Sequence, residues 1–194
     1  MSGFSTARQK MVDGQVRPSD VTDIRIIDAM LAVPRETFVP ENKRALAYLD
    51  LDLEVGEGAS EKQFLIQPAV LAKMLQAAEI KETDNVLVVG CASGYAAAVI
   101  GKFARQVHSA TGADGDPARA PFDVIVLNGA TEVVPQKLYG QLRDGGRLVG
   151  VFAMSQPQRA TIVTRSHGDF GNRALFDAAV PVLPGMERLP AFVF

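Results

Sequence analysis

Apolar side chains return at helical spacing after residue 20: Val21, Ile24, Ile27, Met30 and Leu31 share one face. Asp20 is the expected N-cap of a helix over Val21–Val33, Asp23 sits near its positive end, and Pro34 ends it. The first forty residues read as helical, with a further short helix expected at Glu41–Leu46. Over Leu49–Gly58 the pattern alternates, with Asp50, Asp52, Glu54 and Glu57 set against Leu51, Leu53 and Val55. That predicts a short strand with a solvated acidic face; a carboxylate cluster for acid–base work is the alternative. Pro68 suits a first helical turn, and Val70, Leu71, Met74, Leu75 and Ala78 continue it as a core-facing stripe.

At Val86 the period changes. Val86-Leu87-Val88-Val89 is an unbroken aliphatic run, the pattern of a strand buried on both faces in a parallel sheet. It ends in Gly90-Cys91-Ala92-Ser93-Gly94-Tyr95 and opens into an expected helix, Ala96–Arg105. Phe122–Asn128 repeats the strand pattern, followed by a helix at Pro135–Leu142, a turn at Gly145-Gly146 and a third strand at Arg147–Ala153. The last forty residues predict short strands at Ala160–Arg165, Ala174–Val180 and Ala191–Phe194. Hairpin chemistry lies between them at His167-Gly168-Asp169 and Phe170-Gly171-Asn172. The architecture is α/β: a helical part over 1–80, a sheet over 81–194 with antiparallel strands at its end, one domain over 1–194.

Composition narrows the chemistry. At 47% apolar and 22% charged, the 194 residues are globular rather than disordered. A formal charge of -2 gives no field for phosphate backbones, so no nucleic-acid partner is expected. One cysteine, Cys91, and two histidines, His108 and His167, exclude a disulfide and give no metal-ligand spacing, so no metal is expected. The most apolar stretch, Val86–Ile100, is too short to span a bilayer, and the N-terminal residues lack an apolar leader pattern. No membrane partner and a cytoplasmic setting are the expectation.

The strand–loop–helix at 86–105 carries the chemistry. Such a loop aims backbone N–H groups at a ligand; Gly90 allows the tight turn and Gly94 the close start of the helix. A tight turn without a ligand explains the same residues. The spacing is G-x-x-x-G, not the dinucleotide fingerprint. It resembles the G-x-(G/A)-x-G of S-adenosylmethionine-dependent methyltransferases, whose fold is Rossmann-like. The stretch from Met11 to Gly58 resembles protein-L-isoaspartate O-methyltransferases, with Val33-Pro34-Arg35, Phe38-Val39-Pro40 and Ala47-Tyr48 followed by Asp50 in that family's order. Gly56-Glu57-Gly58 leads to Gln67-Pro68 as that family's substrate loop leads into its helix. APFDVIVLNGATEVVP, QLRDGGRLV and LPGMERLPAFVF extend the likeness through the rest of the chain.

The resemblance implies S-adenosylmethionine as cofactor, held by Gly90, Cys91, Ala92, Ser93, Gly94 and Tyr95 with Leu65. It implies protein or peptide substrates with isoaspartyl residues, met by Ile66, Gln67 and Asn128. The methyl group goes to the free isoaspartyl carboxylate, and the ester then promotes succinimide formation and backbone repair. Carboxylate and sulfonium are already reactive, so catalysis is mainly alignment in a water-poor site.

Three positions depart from the family pattern. Ile66 stands where the family has a serine, so no certain catalytic side chain remains; restoring Ile66→Ser is expected to raise the rate. Val88 stands where an acidic residue is usual, and Ala92 where glycine is common. These departures suit an alternative, a catalytically weak or inactive methyltransferase-fold binding protein. A methyltransferase for small molecules or other protein carboxylates is a third reading. A further departure is one of length. The fold calls for two strands and a helix before Phe122, yet 108–121 holds no apolar run, and a βαβ unit takes roughly 30 residues. Either the unit is lost, or a stretch is missing between Val107 and Asp114, with neighbouring Cα atoms there more than about 3.8 Å apart. Loss would expose the sheet, which favours the second alternative. Asp114 and Asp116 read as a solvated acidic loop, with replacement ribose ligands as the alternative.

Overall fold

The computed structural model describes residues 3–56, 62–91 and 93–189. Helix α1 spans Gly3–Met11 and continues through a wide π turn at Val12–Val16 and a 3-10 turn at Arg17–Ser19. Helix α2 spans Ile24–Ala32 and is capped by Asp23, whose carboxylate accepts the Arg25 N–H at 2.9 Å. The cap therefore lies three residues beyond the expected Asp20, which instead turns the chain at φ 62°. Glu41–Leu46 winds as a 3-10 helix. Strand β1 (Leu53–Glu54) pairs antiparallel with β2 (Phe64–Leu65). The strand expected over Leu49–Gly58 is thus two residues long, and Glu57 and Gly58 lie outside the described residues.

Helix α3 spans Pro68–Ala78 as its stripe predicts. Its Gln76 explains the shifted cap: the side-chain oxygen accepts from Thr22 N and Asp23 N at 2.7 and 3.0 Å, and the amide donates to the Asp20 carbonyl at 2.9 Å. Residues 20–23 are held out of the helix by a partner more than fifty residues away. Next come β3 (Asn85–Val89), α4 (Tyr95–Ile100), β4 (Gln106–Ala110), β5 (Phe122–Thr131) and α5 (Gln136–Tyr139). The strands β6 (Leu142–Phe152), β7 (Arg159–Ser166) and β8 (Asp169–Asp177) complete the described elements.

Several sequence expectations are corrected. Helix α4 stops at Ile100, where Gly101 follows, and α5 is a single turn. Gly145-Gly146 is not a turn between elements but an irregularity inside β6, with Gly145 at φ 75°. Phe170-Gly171-Asn172 belongs to β8; the hairpin turn is His167-Gly168, both at positive φ. Ala191–Phe194 lies outside the described residues. The stretch read as strandless supplies β4, which pairs parallel with β3 from Asn85↔Gln106 to Val89↔Ala110. An edge strand contacts the core on few positions, so Gln106, His108 and Ser109 give no apolar run to recognise. The chain passes from β4 through a turn at 111–115 towards β5.

The six-stranded sheet has the order β4-β3-β5-β6-β7-β8. The strands from β4 to β6 are parallel, and β7 and β8 are antiparallel. Alternation divides the core. Val86, Val88, Val124 and Val126 pack with the N-terminal helices on one face. Leu87, Val89, Ile125 and Leu127 meet Leu138, Leu183 and Met186 on the other. Both faces are covered, which is why the runs Val86–Val89 of β3 and Val124–Leu127 of β5 are aliphatic.

Candidate functional site

From β3 the chain crosses to β4 on one side and then returns to β5 on the other. The carboxyl ends of β3 and β5 thus flank a topological switch point, where loops diverge and leave a crevice. Gly90 closes β3 and donates its N–H to the Ala110 carbonyl at 2.8 Å. Opposite it, Asn128 of β5 is 3% exposed. Its amide donates to the Gly90 carbonyl at 3.1 Å and lies 3.5 Å from that of Phe64. The Asn128 Oδ1 is buried without a hydrogen-bond partner, an acceptor left over for a donor in the crevice.

The glycine loop turns at φ 77° for Gly90 and 83° for Gly94, and Ser93 Oγ accepts the Tyr95 N–H at 3.4 Å. Ala92 lies outside the described residues. Cys91 is buried, and burial pushes its thiol up, the opposite of a reactive cysteine. The Tyr95 ring is turned away into the core beside Phe38, so only backbone at this position belongs to the loop. Val88 is fully buried on the helical face and offers the crevice no polar group.

Pro181–Pro184 crosses the mouth of the crevice. Leu183 N donates to the Ala130 carbonyl and Ala130 N to that of Pro181, both at 2.8 Å. The Leu183 side chain reaches the Gly90 backbone: a Cβ added there would lie 2.2 Å from Leu183 Cδ2, and one added at Gly129 would lie 2.6 Å from it. The inner notch left between Lys62–Phe64, Gly90, Thr111, Asn128 and this strap is about 20 Å³, room for one water. A shallow groove of about 570 Å³ lies outside the strap, sharing Lys62, Phe64, Pro181, Val182 and Pro184 with the notch. Leu183 escaped the sequence analysis; an aliphatic residue between prolines has no periodicity to mark it.

Leu65 and Ile66 are each 1% exposed and their side chains join the core, so the notch is edged here by Lys62–Phe64 and these two residues lie behind it. Gln67 spends its groups on Asp52: its N–H donates at 3.0 Å and its side-chain amide at 3.3 Å. Burial raises the Asp52 carboxyl, partly offset by those two bonds. Arg35, 1% exposed, donates from Nε to the Ala47 carbonyl at 2.7 Å and from Nη2 to that of Ile66 at 2.8 Å. Its guanidinium lies 4.9 Å from the Tyr95 ring centre. Asp52 and Arg35 were visible in the sequence, the first as one acid among several and the second inside Val33-Pro34-Arg35, without a sign of what they hold.

The other candidates stand apart from the crevice. Asp114 is exposed and pairs with Lys137 at 2.6 Å, whereas the Asp116 side chain is largely covered and pairs with Arg119 at 2.5 Å. His108 lies on edge strand β4 and His167 in the hairpin turn. Among the described residues no group of three His, Cys, Asp or Glu is placed to hold a metal. No helix among them is long and apolar enough to cross a membrane.

The sequence model of the protein-L-isoaspartate(D-aspartate) O-methyltransferase family matches residues 6–111 and 104–179. The chain is similar to the protein-L-isoaspartate O-methyltransferase of Roseiflexus sp. strain RS-1, 35% identical over 219 positions that cover 96% of this chain and 98% of the relative. With 194 residues here, roughly thirty of those positions face no residue of this chain, and the two family-model segments meet at β4. Among solved structures, a protein-L-isoaspartate O-methyltransferase superposes with TM-score 0.77 at 22% identity, covering 92% of this chain and 66% of that longer one. A protein-L-isoaspartate O-methyltransferase beta-aspartate methyltransferase from Plasmodium falciparum, in complex with S-adenosyl-L-homocysteine, superposes with TM-score 0.70 at 14% identity, covering 94% and 99%. The structural likeness carries the methyltransferase fold, and the sequence match carries the lineage: this chain belongs to the protein-L-isoaspartate(D-aspartate) O-methyltransferase family.

Proposed function

We propose that this protein transfers a methyl group from S-adenosylmethionine to the carboxylate of isoaspartyl residues in proteins and peptides. The observation that carries the reading is the family match, which runs through both walls of the crevice, the stretch 62–67 and the loop 90–95. The family catalyses this transfer, and S-adenosylmethionine supplies the methyl as an electrophilic sulfonium substituent.

The chemistry of the crevice fits that group. The loop of Gly90, Cys91, Ala92, Ser93 and Gly94 would hold its amino-acid end with backbone donors other than the Gly90 N–H, which the Ala110 carbonyl takes, and the unpaired Asn128 Oδ1 would accept from its ammonium. In the closed arrangement a 20 Å³ notch is too small, so Pro181–Pro184 must swing outward to merge notch and outer groove. The chain's own contribution is alignment and exclusion of water. Phe64–Gln67 and the glycine loop face each other across Asn128, which bridges them. Ile66 presents no side-chain hydroxyl and the Gln67 N–H is given to Asp52, so alignment rather than a donor at this position would carry the transfer.

The domain is read as one unit over 1–194, shortened relative to its relatives beside β4. A cytoplasmic setting suits it, supported by a single, buried, unpaired thiol. The test is direct. Titration calorimetry with S-adenosylhomocysteine reports cofactor binding, and radiolabelled methyl transfer compares an isoaspartyl peptide with its aspartyl twin. Transfer confined to the isoaspartyl peptide is expected. Cofactor binding without transfer to either would favour the catalytically weak reading, which Ile66 motivates; no binding at all would overturn the transfer and favour the non-catalytic alternative.

A further inference from the structure

The segment Phe64–Gln67, which meets the crevice at Phe64 and runs on behind it, cannot hold itself. Its strand, β2, has two residues and pairs only with two-residue β1, and so short a ladder is not stable on its own. Just past it, the Ile66 carbonyl and the Gln67 N–H lie outside the β1–β2 ladder. Both find side-chain partners from elsewhere in the chain: Ile66 O accepts from Arg35 Nη2 at 2.8 Å, and Gln67 N donates to Asp52 Oδ1 at 3.0 Å.

Arg35 is an unusual choice for that task. It is 1% exposed and makes no ion pair among the described residues. Burying a guanidinium without a carboxylate is costly, and a neutral side chain would pack at less expense. What arginine adds is a rigid fork. One arm holds Ala47 O at 2.7 Å and another Ile66 O, while the plane of the group rests 4.9 Å from the centre of Tyr95. Tyr95 is the first residue of α4, immediately after the glycine loop. A single buried cation therefore touches both the segment that continues from Phe64 and the residue that follows the glycine loop. Asp52 completes the hold from the other side, and its second oxygen takes the Gln67 side chain at 3.3 Å.

Resting on the function proposed above, we propose that Arg35 and Asp52 are positioning residues: together they set the backbone of Phe64–Gln67 against the glycine loop and so align the two reactants. Neither lines the notch, so both act through the segment they hold. Lysine at position 35 keeps the charge but cannot make two directed bonds and a stacked contact at once. Asparagine at position 52 keeps the shape but replaces one acceptor oxygen by a donor facing Gln67.

The test uses the full chain and two variants, Arg35→Lys and Asp52→Asn, so that the loss of one to misfolding leaves the other. Hydrogen exchange is read at the amides of Leu65, Ile66 and Gln67 and, as reference, at those of β3 and β5. Exchange in the 65–67 segment is expected to quicken by about tenfold or more, with the reference strands unchanged. In the same variants kcat/KM for an isoaspartyl peptide is expected to fall by about tenfold or more, because misplacement spoils alignment. Affinity for S-adenosylhomocysteine should stay within about threefold of the parent. Unchanged exchange at 65–67, or exchange raised equally in the reference strands, overturns the proposal. Loosened exchange with undiminished kcat/KM overturns it too. If the parent chain methylates nothing, the functional reading falls by itself, and the exchange pattern still decides whether Arg35 and Asp52 hold this segment.

Discussion

Gly90 is required twice over. Its φ of 77° is left-handed, and a Cβ there would lie 2.2 Å from Leu183 Cδ2. The backbone cost is about 1–2 kcal/mol and the overlap about 1–3. Gly90→Ala should therefore lose about 2–5 kcal/mol, read as a lowered Tm. Adding Leu183→Ala should recover the overlap but not the backbone part. Leu183→Ala alone removes the side chain that fills the notch. It should cost about 2–5 kcal/mol of stability and tighten S-adenosylhomocysteine binding in calorimetry. Unaltered affinity would mean that the strap leaves the notch without resistance. Ile66 shows why a family position cannot be judged from identity alone. Its side chain is buried in the core, so Ile66→Ser removes packing, at about 2–5 kcal/mol, and any gain in rate has to be measured on the folded fraction.

Among the elements, α3 is tied to the sheet by one side chain of β6. Arg147 donates to the carbonyls of Ala78 and Glu79 at the end of α3, and to the buried Asp84 carboxylate at 2.9 Å. The helix thus gains a cation at its negative end, and its last carbonyls gain donors. Arg147→Ala would strand Asp84 without its partner. A loss of about 3–5 kcal/mol is expected in chemical denaturation. Arg147→Lys should restore the charge but only part of the loss, because one ammonium cannot serve three acceptors in this fork. The α2 cap obeys the same logic. Asp20 and Asp23 are equally good capping residues, and Gln76 of α3 decides between them by holding 20–23 out of the helix.

For the molecule as a whole, the three tyrosines report on integrity. Burial raises Tyr48 and Tyr139 to about 12 and pushes Tyr95 up as well. An unfolded chain ionises its tyrosines near pH 10. The folded state therefore holds these protons more tightly, and the stability they contribute is complete below pH 10 and disappears as pH rises through about 12. Phenolate absorbance should stay low through pH 10 and then rise with the loss of structure. A normal titration of any one tyrosine near pH 10 would place that ring in solvent and contradict its packing.

Hydrophobic pattern alone was enough for α3, β3, β5 and the α/β architecture, since a parallel strand covered on both faces must be aliphatic and a half-covered helix must be striped. The glycine loop was equally legible, because positive φ at Gly90 and Gly94 demands the residue type that marks them. The family likeness rested in part on that loop and β5, and chiefly on the order of short motifs between Met11 and Gly58. Tertiary structure decided what local pattern cannot encode. It made Gln106–Ala110 an edge strand through hydrogen bonds to β3, although its side chains carry no strand signal. It turned Ile66 and Tyr95 into the core, laid Leu183 on Gly90, and gave Arg35 and Asp52 to the backbone of 66–67. Each of these contacts joins residues far apart along the chain, and a side chain's partner is set by where the backbone brings it, not by its neighbours in sequence.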